Sequence, residues 1–93
     1  MKIGRYFYMK SPRKDKKLMV VVSLNGKKKV IHFGNPKYQQ FKDKTGYWKK
    51  LDHGDEKRRK NYLSRAKGIK NKKGELTWKD PFSANYHAIR VLW

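Results

Sequence analysis

From Leu18 to Phe33 the chain alternates in a way that only a β-hairpin satisfies: Leu18 to Leu24 and Lys27 to Phe33 are two β-prone runs separated by Asn25-Gly26. That dipeptide tolerates the two positive φ angles of a type I′ turn. Centring the turn there pairs Leu18 with Phe33, Val20 with Ile31 and Val22 with Lys29 on a core face. Met19 with His32, Val21 with Val30 and Ser23 with Lys28 fall on the other face, which is half apolar and needs partial cover. Ile3 to Met9 reads as one further strand, with Tyr6 and Tyr8 on one face and Phe7 on the other, ended by Ser11-Pro12. Three antiparallel strands are predicted.

The rest of the chain carries helical and irregular patterns. After Gly34, a turn position that calls for positive φ, and Asn35-Pro36, the stretch Lys37 to Leu51 holds Tyr38, Phe41, Tyr47 and Trp48 without a period. It is expected to be an irregular connection packed by its aromatics. Acids precede bases from Asp52 to Lys67, as a helix macrodipole favours, which predicts a basic helix from about 53 to 67. Asp52 would be its N-cap, Gly68 its stop, and Tyr62, Ala66 and Ile69 its narrow apolar stripe. Leu76 and Trp78 suggest a short extended piece. Asp80-Pro81 then opens a last helix, with Phe82, Tyr86, Ile89 and Trp93 on its buried face, flanked by Ala88 and Leu92. The fold expected is α+β in a single domain over residues 1–93: a small three-stranded antiparallel sheet, the N-terminal strand plus the hairpin, packed by the C-terminal helix, with the basic helix as a second.

Charge changes the picture. The 93 residues carry 26 Lys and Arg against 7 Asp and Glu, a formal charge of +19. Residues 1–50 hold 15 basic and 2 acidic side chains, and residues 51–93 hold 11 and 5. Self-repulsion on this scale opposes compaction unless a polyanion supplies the countercharge. The partner expected is nucleic acid, DNA before RNA. There is no Cys, so no disulfide or thiolate metal site. No apolar run is long enough for a membrane span and the N-terminus has no apolar signal region, so neither secretion nor membrane insertion is expected.

The candidate phosphate contacts are Lys27, Lys28 and Lys29 at the hairpin tip, Lys57, Arg58, Arg59, Lys60, Arg65 and Lys67 on the basic helix, and Lys72 and Lys73 in the turn after it. Arg58, Tyr62 and Arg65 stand at i, i+4 and i+7, so two guanidinium groups bracket one phenol; they could grip phosphates bidentately or hold acidic loops of their own domain. Arg5-Tyr6-Phe7-Tyr8 and Tyr47-Trp48-Lys49-Lys50 interleave cations with rings and could stack unpaired bases, although core packing explains them as well. His32, at a strand end, is either a hydrogen-bonded structural residue or a nucleic-acid contact. Asp52, His53, Asp55 and Glu56 are chemically adequate for a divalent metal and a hydrolytic water, but their spacing also fits a helix cap. No catalytic residue, metal or cofactor is expected.

Taken in order, Asn25-Gly26-Lys27, His32-Phe33-Gly34, Asp52-His53 with Asp55, then Arg58, Tyr62 and Arg65, then Trp78 and Leu92-Trp93 resemble a family of small, basic, uncharacterised proteins encoded by large DNA viruses of eukaryotes and by tailed phages. The likeness spans about residues 18 to 93 and departs from the pattern at Ala66, where a His is common. It implies a viral origin, in the virion or the interior of the infected cell, and no assigned chemistry. The function expected is therefore non-catalytic, sequence-independent binding of nucleic acid, viral genome DNA foremost, through phosphate contacts. The rival is a structural virion protein, a minor capsid component bridging acidic capsid surfaces. A metal-dependent nuclease on Asp52, Asp55 and Glu56 and a ribosome-associated RNA binder are the remaining alternatives.

Overall fold

A computed structural model describes all 93 residues. It contains four strands: β1 (Lys2–Ile3), β2 (Tyr6–Lys10), β3 (Leu18–Leu24) and β4 (Lys27–Phe33). They form one antiparallel sheet in the order β1-β2-β3-β4. The hairpin has the register its sequence predicts, from Leu18 opposite Phe33 to Leu24 opposite Lys27, with Asn25 at φ 52° in the turn.

The expectation of three strands is corrected to four. Gly4, at φ 63°, turns the chain back within the segment read as one strand, so Lys2 pairs with Phe7 and Ile3 with Tyr6. A glycine in the first turn position is what a tight hairpin needs there. The Met1 amino group donating to the Tyr8 carbonyl (2.6 Å), and the Tyr8 N–H to the Met1 carbonyl (2.8 Å), lengthen the pairing.

Tyr6, Tyr8, Leu18, Val20, Val22, Ile31 and Phe33 project from one face of the sheet into the core, where Ala88, Val91 and Leu92 of α2 (Ala84–Leu92) cover them. Helix α2 starts later than the Asp80-Pro81 signal suggests. The Asp80 carboxylate accepts from the Phe82 N–H and its carbonyl from the Ser83 N–H, which closes a turn, and Ser83 becomes the N-cap by accepting from the Asn85 N–H. The buried face is also rotated from the expected stripe: His87, Ala88, Val91 and Leu92 are buried, whereas Phe82, Tyr86, Ile89 and Trp93 are only partly so.

Helix α1 (Glu56–Ala66) is shorter than 53 to 67 at its start, because Gly54 at φ 62° cannot be part of a right-handed turn. Asp55, not Asp52, is its N-cap, accepting from the Lys57 and Arg58 N–H groups. Thr77–Lys79 forms a single 3₁₀ turn where an extended piece was expected, and only Leu76 bridges, to Lys70. No helix is long and apolar enough to cross a membrane.

The connection from 37 to 55 is held by side chains that bond backbone. Buried Asp43 accepts from the Thr45 and Trp48 N–H groups, and Asp52 accepts from the Asp43 N–H. Buried Gln40 links charges of opposite sign, its oxygen accepting from the Lys17 ammonium and its amide donating to the Asp52 carboxylate. Burial pushes the Lys17 ammonium below its usual pKa range, and Asp43 and Asp52 oppose that shift. The Lys42 and Lys44 N–H groups donate to the Leu92 and Val91 carbonyls and so satisfy the last turn of α2.

Candidate nucleic-acid interface

The fold fixes α1 antiparallel against α2 at both ends. Near the start of α1, Arg59 Nε donates to the Trp93 carbonyl at 2.7 Å, and midway along it the Tyr62 ring stacks on Trp93 with centroids 4.0 Å apart and planes 7° from parallel. Near its end, the Asn85 amide donates to the Ala66 carbonyl and to Thr77 Oγ1, both at 2.9 Å. Ala66 is buried as its stripe predicts, but Ile69 stays exposed beyond the helix. Docked this way, α1 presents Arg58, Tyr62 and Arg65 to a groove of about 550 Å³ whose opposite wall is Lys37, Tyr38 and Gln39, with Trp93 also lining it. A second cavity of about 210 Å³ shares Tyr38, Gln39, Tyr62 and Trp93 and reaches inward to Lys17 and Gly34.

Of the eleven candidate cations, Arg58 and Arg65 alone line this groove. Neither holds an acidic loop: Arg58 Nη1 donates to Gln39 Oε1 at 2.9 Å, and the Arg65 guanidinium makes no hydrogen bond to the protein. Lys57, Lys60, Lys67, Lys72 and Lys73 are exposed, with the Lys67 ammonium 5.2 Å above the Trp78 ring. Lys27, Lys28 and Lys29 are exposed at the hairpin tip, and Lys27 lies 5.4 Å above Phe82, so the tip reaches the segment that leads into α2. Arg59 is the exception. Half-buried, it is occupied by the Trp93 carbonyl, by Glu56 at 3.8 Å and by the Phe41 ring, and so is a structural cation and not a free one.

Lys37, Tyr38, Gln39, Asn61 and Trp93 are the groove residues that sequence reasoning does not assign. Trp93 falls on the apolar stripe of the last helix, and the aperiodic run after Pro36 offers only the Lys37-Tyr38 pair as a cue. The ring-and-cation clusters behave differently from one another. Tyr6 and Tyr8 are core, Phe7 is exposed on the other face, and Trp48 packs on the core while its indole N–H donates to the Lys17 carbonyl. His32 Nδ1 bonds Ser11 Oγ at 2.8 Å, a structural role.

The acidic cluster does not converge. Asp52 faces Gln40 and the Asp43 N–H, Asp55 caps α1, Glu56 lies beside Arg59, and His53 Nδ1 accepts from the Asp55 N–H. Burial, and secondarily Arg58, lowers the His53 pKa below its ordinary value. No group of three or more His, Asp or Glu is placed to hold a metal ion. The roles of the two aspartates are separable by mutation. Asp55→Ala is expected to cost on the order of 1 kcal/mol and Asp55→Asn much less, since asparagine also caps. Asp52→Asn is expected to cost more than Asp55→Asn, because it removes a charge that compensates buried Lys17. Denaturant midpoints of the three variants check this ordering; equal midpoints for the two Asn variants would refute it.

The architecture is thus a small basic α+β domain with a cation-lined groove between its first helix and the connection before it. The chain belongs to the family of unknown function DUF5754, whose model matches residues 9–66. The match takes in both groove walls, Lys37 to Gln39 and Arg58 to Arg65, and stops before α2 and Trp93. No curated protein and no solved structure matches the chain.

Proposed function

We propose that the protein binds nucleic acid without catalysis and without reading sequence, holding phosphates with its exposed Lys and Arg side chains, and that its ligand is the genome DNA of a virus of the kind its sequence resembles. The observation that carries this is how little of the positive charge is neutralised internally. Among 26 Lys and Arg only two ion pairs form, Arg13 with Asp15 and Arg59 with Glu56. Asp43, Asp52, Asp55 and Asp80 are instead engaged by backbone N–H groups in turns and caps. A field this one-sided is a phosphate-binding surface in search of counterions.

The test is a gel shift with two duplexes of unrelated sequence at low salt. Both are expected to bind alike, and Arg58→Ala and Arg65→Ala to weaken both by similar factors, since phosphate contacts position without specifying. Thermal melts of the variants separate lost contacts from lost folding. Absence of any shift at micromolar protein in about 50 mM salt would refute the proposal, because the electrostatic contribution is strongest there.

One observation favours the structural virion alternative. Phe7, Val21 and Val30 lie side by side on the open face of the sheet, exposed by 57%, 36% and 47%, next to Met9 and Met19. A continuous apolar patch of this kind suits docking on another protein, and the surrounding charge suits an acidic one. Recovery with genome-free shells, and not with naked genome, would favour this reading over the first.

A further inference from the structure

We propose that the groove between α1 and residues 37–39 seats one unpaired nucleotide of a nucleic-acid strand, its phosphate between Arg58, Arg65 and Lys37 and its base against the Tyr38, Tyr62 and Trp93 rings. This rests on the nucleic-acid reading above and adds which form of the polymer the site selects. A duplex keeps its bases stacked inside, and its phosphates need exposed cations, not a cavity. Here there is a concavity of about 550 Å³, within the size range of small-ligand sites. Its lining contains three cationic side chains, three aromatic rings and no acidic side chain. Those are the two components that hold single strands: cations tracking the backbone, and rings on which any base can stack.

The details agree with a seat that is formed before the ligand arrives. Gln39 Oε1 accepts from Arg58 Nη1 and so holds that guanidinium at the groove edge, while Arg65 has no partner within the protein and its fork is free for a phosphate. The Tyr62–Trp93 pair is already a parallel stack at 4.0 Å, and a base would add a further ring to the same wall. Tyr38 lines both this groove and the inner cavity, and with 67% of its surface exposed it loses little by closing over a base from the opposite side. The Gln39 and Asn61 amides each offer both donors and acceptors, which suits any base edge and selects none.

The experiment compares an oligothymidylate with an abasic strand of equal length and phosphate number, by fluorescence anisotropy at low salt, alongside a duplex. The base-bearing strand is expected to bind roughly 5- to 100-fold more tightly than the abasic one, the range of one stacked base. Tyr38→Ala, at an exposed position whose loss the fold tolerates, removes one of the three rings and is expected to lower that ratio several-fold while changing duplex affinity much less. Equal affinity for both strands in the wild-type protein, with duplex binding present, overturns the nucleotide seat and leaves the phosphate-binding reading standing. A ratio unchanged by Tyr38→Ala also overturns it, because the base is then held elsewhere. Failure of strands and duplex alike overturns the parent reading and this one together.

Discussion

Raising the salt concentration from about 50 to 200 mM is expected to lower the affinity for duplex DNA by roughly 10³- to 10⁵-fold, the loss that accompanies six to ten phosphate contacts. Ten of the eleven candidate cations remain free for such contacts. Lys27, Lys28, Lys29, Lys57, Arg58, Lys60, Arg65, Lys67, Lys72 and Lys73 are exposed and none is paired with a carboxylate. Arg59 is withdrawn from the set by its bonds to Trp93 and Glu56. The ten lie at the hairpin tip, along α1 and in the turn at 72–73, so one duplex engages several of them and not necessarily all. Each phosphate neutralised contributes about 0.9 to the slope of log K against log salt. Replacing Arg65 by Ala should therefore reduce the slope by about one, and replacing Arg59 by Ala should leave the slope unchanged while lowering the melting temperature. Titrations at four or five salt concentrations measure this. A slope near zero would mean that binding, if any, is not driven by phosphate, and would turn attention to the open sheet face.

The hairpin was legible in the sequence to the level of register because two seven-residue runs of period two flank a dipeptide that permits one turn type. What precedes it was legible only in part. The β-prone run from Ile3 to Met9 hides Gly4 inside one strand, yet a glycine followed by one polar residue between Ile3 and Tyr6 is itself a tight-turn signal, and the short β1 it creates is what raises the sheet to four strands. The sequence marks both helices but not their edges, for related reasons. An acidic residue near a helix start is a candidate cap wherever it stands; the backbone at Gly54 decides for Asp55 over Asp52, and Ser83 displaces Asp80.

The groove was half legible. The spacing of Arg58, Tyr62 and Arg65 places them on one face of α1, and the structure keeps them there. The facing wall leaves no periodic trace, because Asp43, Gln40 and Asp52 shape the connection by bonding backbone groups one at a time. Trp93 packs against the core with Phe82 and Tyr86, as their stripe predicts, and lines the groove as well, but a period of 3.6 drawn through those rings passes over His87, which reads as polar. His87 in fact is fully buried and sets the inward face of α2.

That histidine carries the largest stability effect expected of a single side chain here. His87 Nδ1 lies 2.7 Å from the Tyr8 hydroxyl and Nε2 2.7 Å from the Pro81 carbonyl. A carbonyl only accepts, so Nε2 carries the proton, and Nδ1 accepts from Tyr8; the neutral ring is fully satisfied. Around it the Tyr6, Tyr8, Phe33 and Tyr86 rings approach to centroid distances of 4.9 to 6.0 Å. His87→Ala would open a cavity among them and leave a buried hydroxyl and a partly buried carbonyl without partners, a loss of about 3 to 5 kcal/mol. In a domain of this size that lowers the melting temperature by more than about 12 °C. Acid should act on the same contact. Burial, the largest cause, and the nearby Arg90 charge hold the His87 pKa below its ordinary 6.5, whereas the Pro81 carbonyl opposes the shift. The unfolded chain therefore takes up a proton more readily than the folded one. The stabilisation is complete above pH 6.5 and is lost as the pH falls through 6.5 towards the folded value. Protonation at Nδ1 would set two donors, the imidazolium and the Tyr8 hydroxyl, against each other. His87→Gln, whose amide can still accept from Tyr8 and donate to Pro81, should be less damaging than His87→Ala and should flatten the fall in melting temperature between pH 7 and 5. His53, also depressed by burial, remains titratable in that variant and accounts for what is left of the slope. If melts of His87→Gln and the wild-type protein run parallel over that interval, the acid sensitivity does not originate at His87.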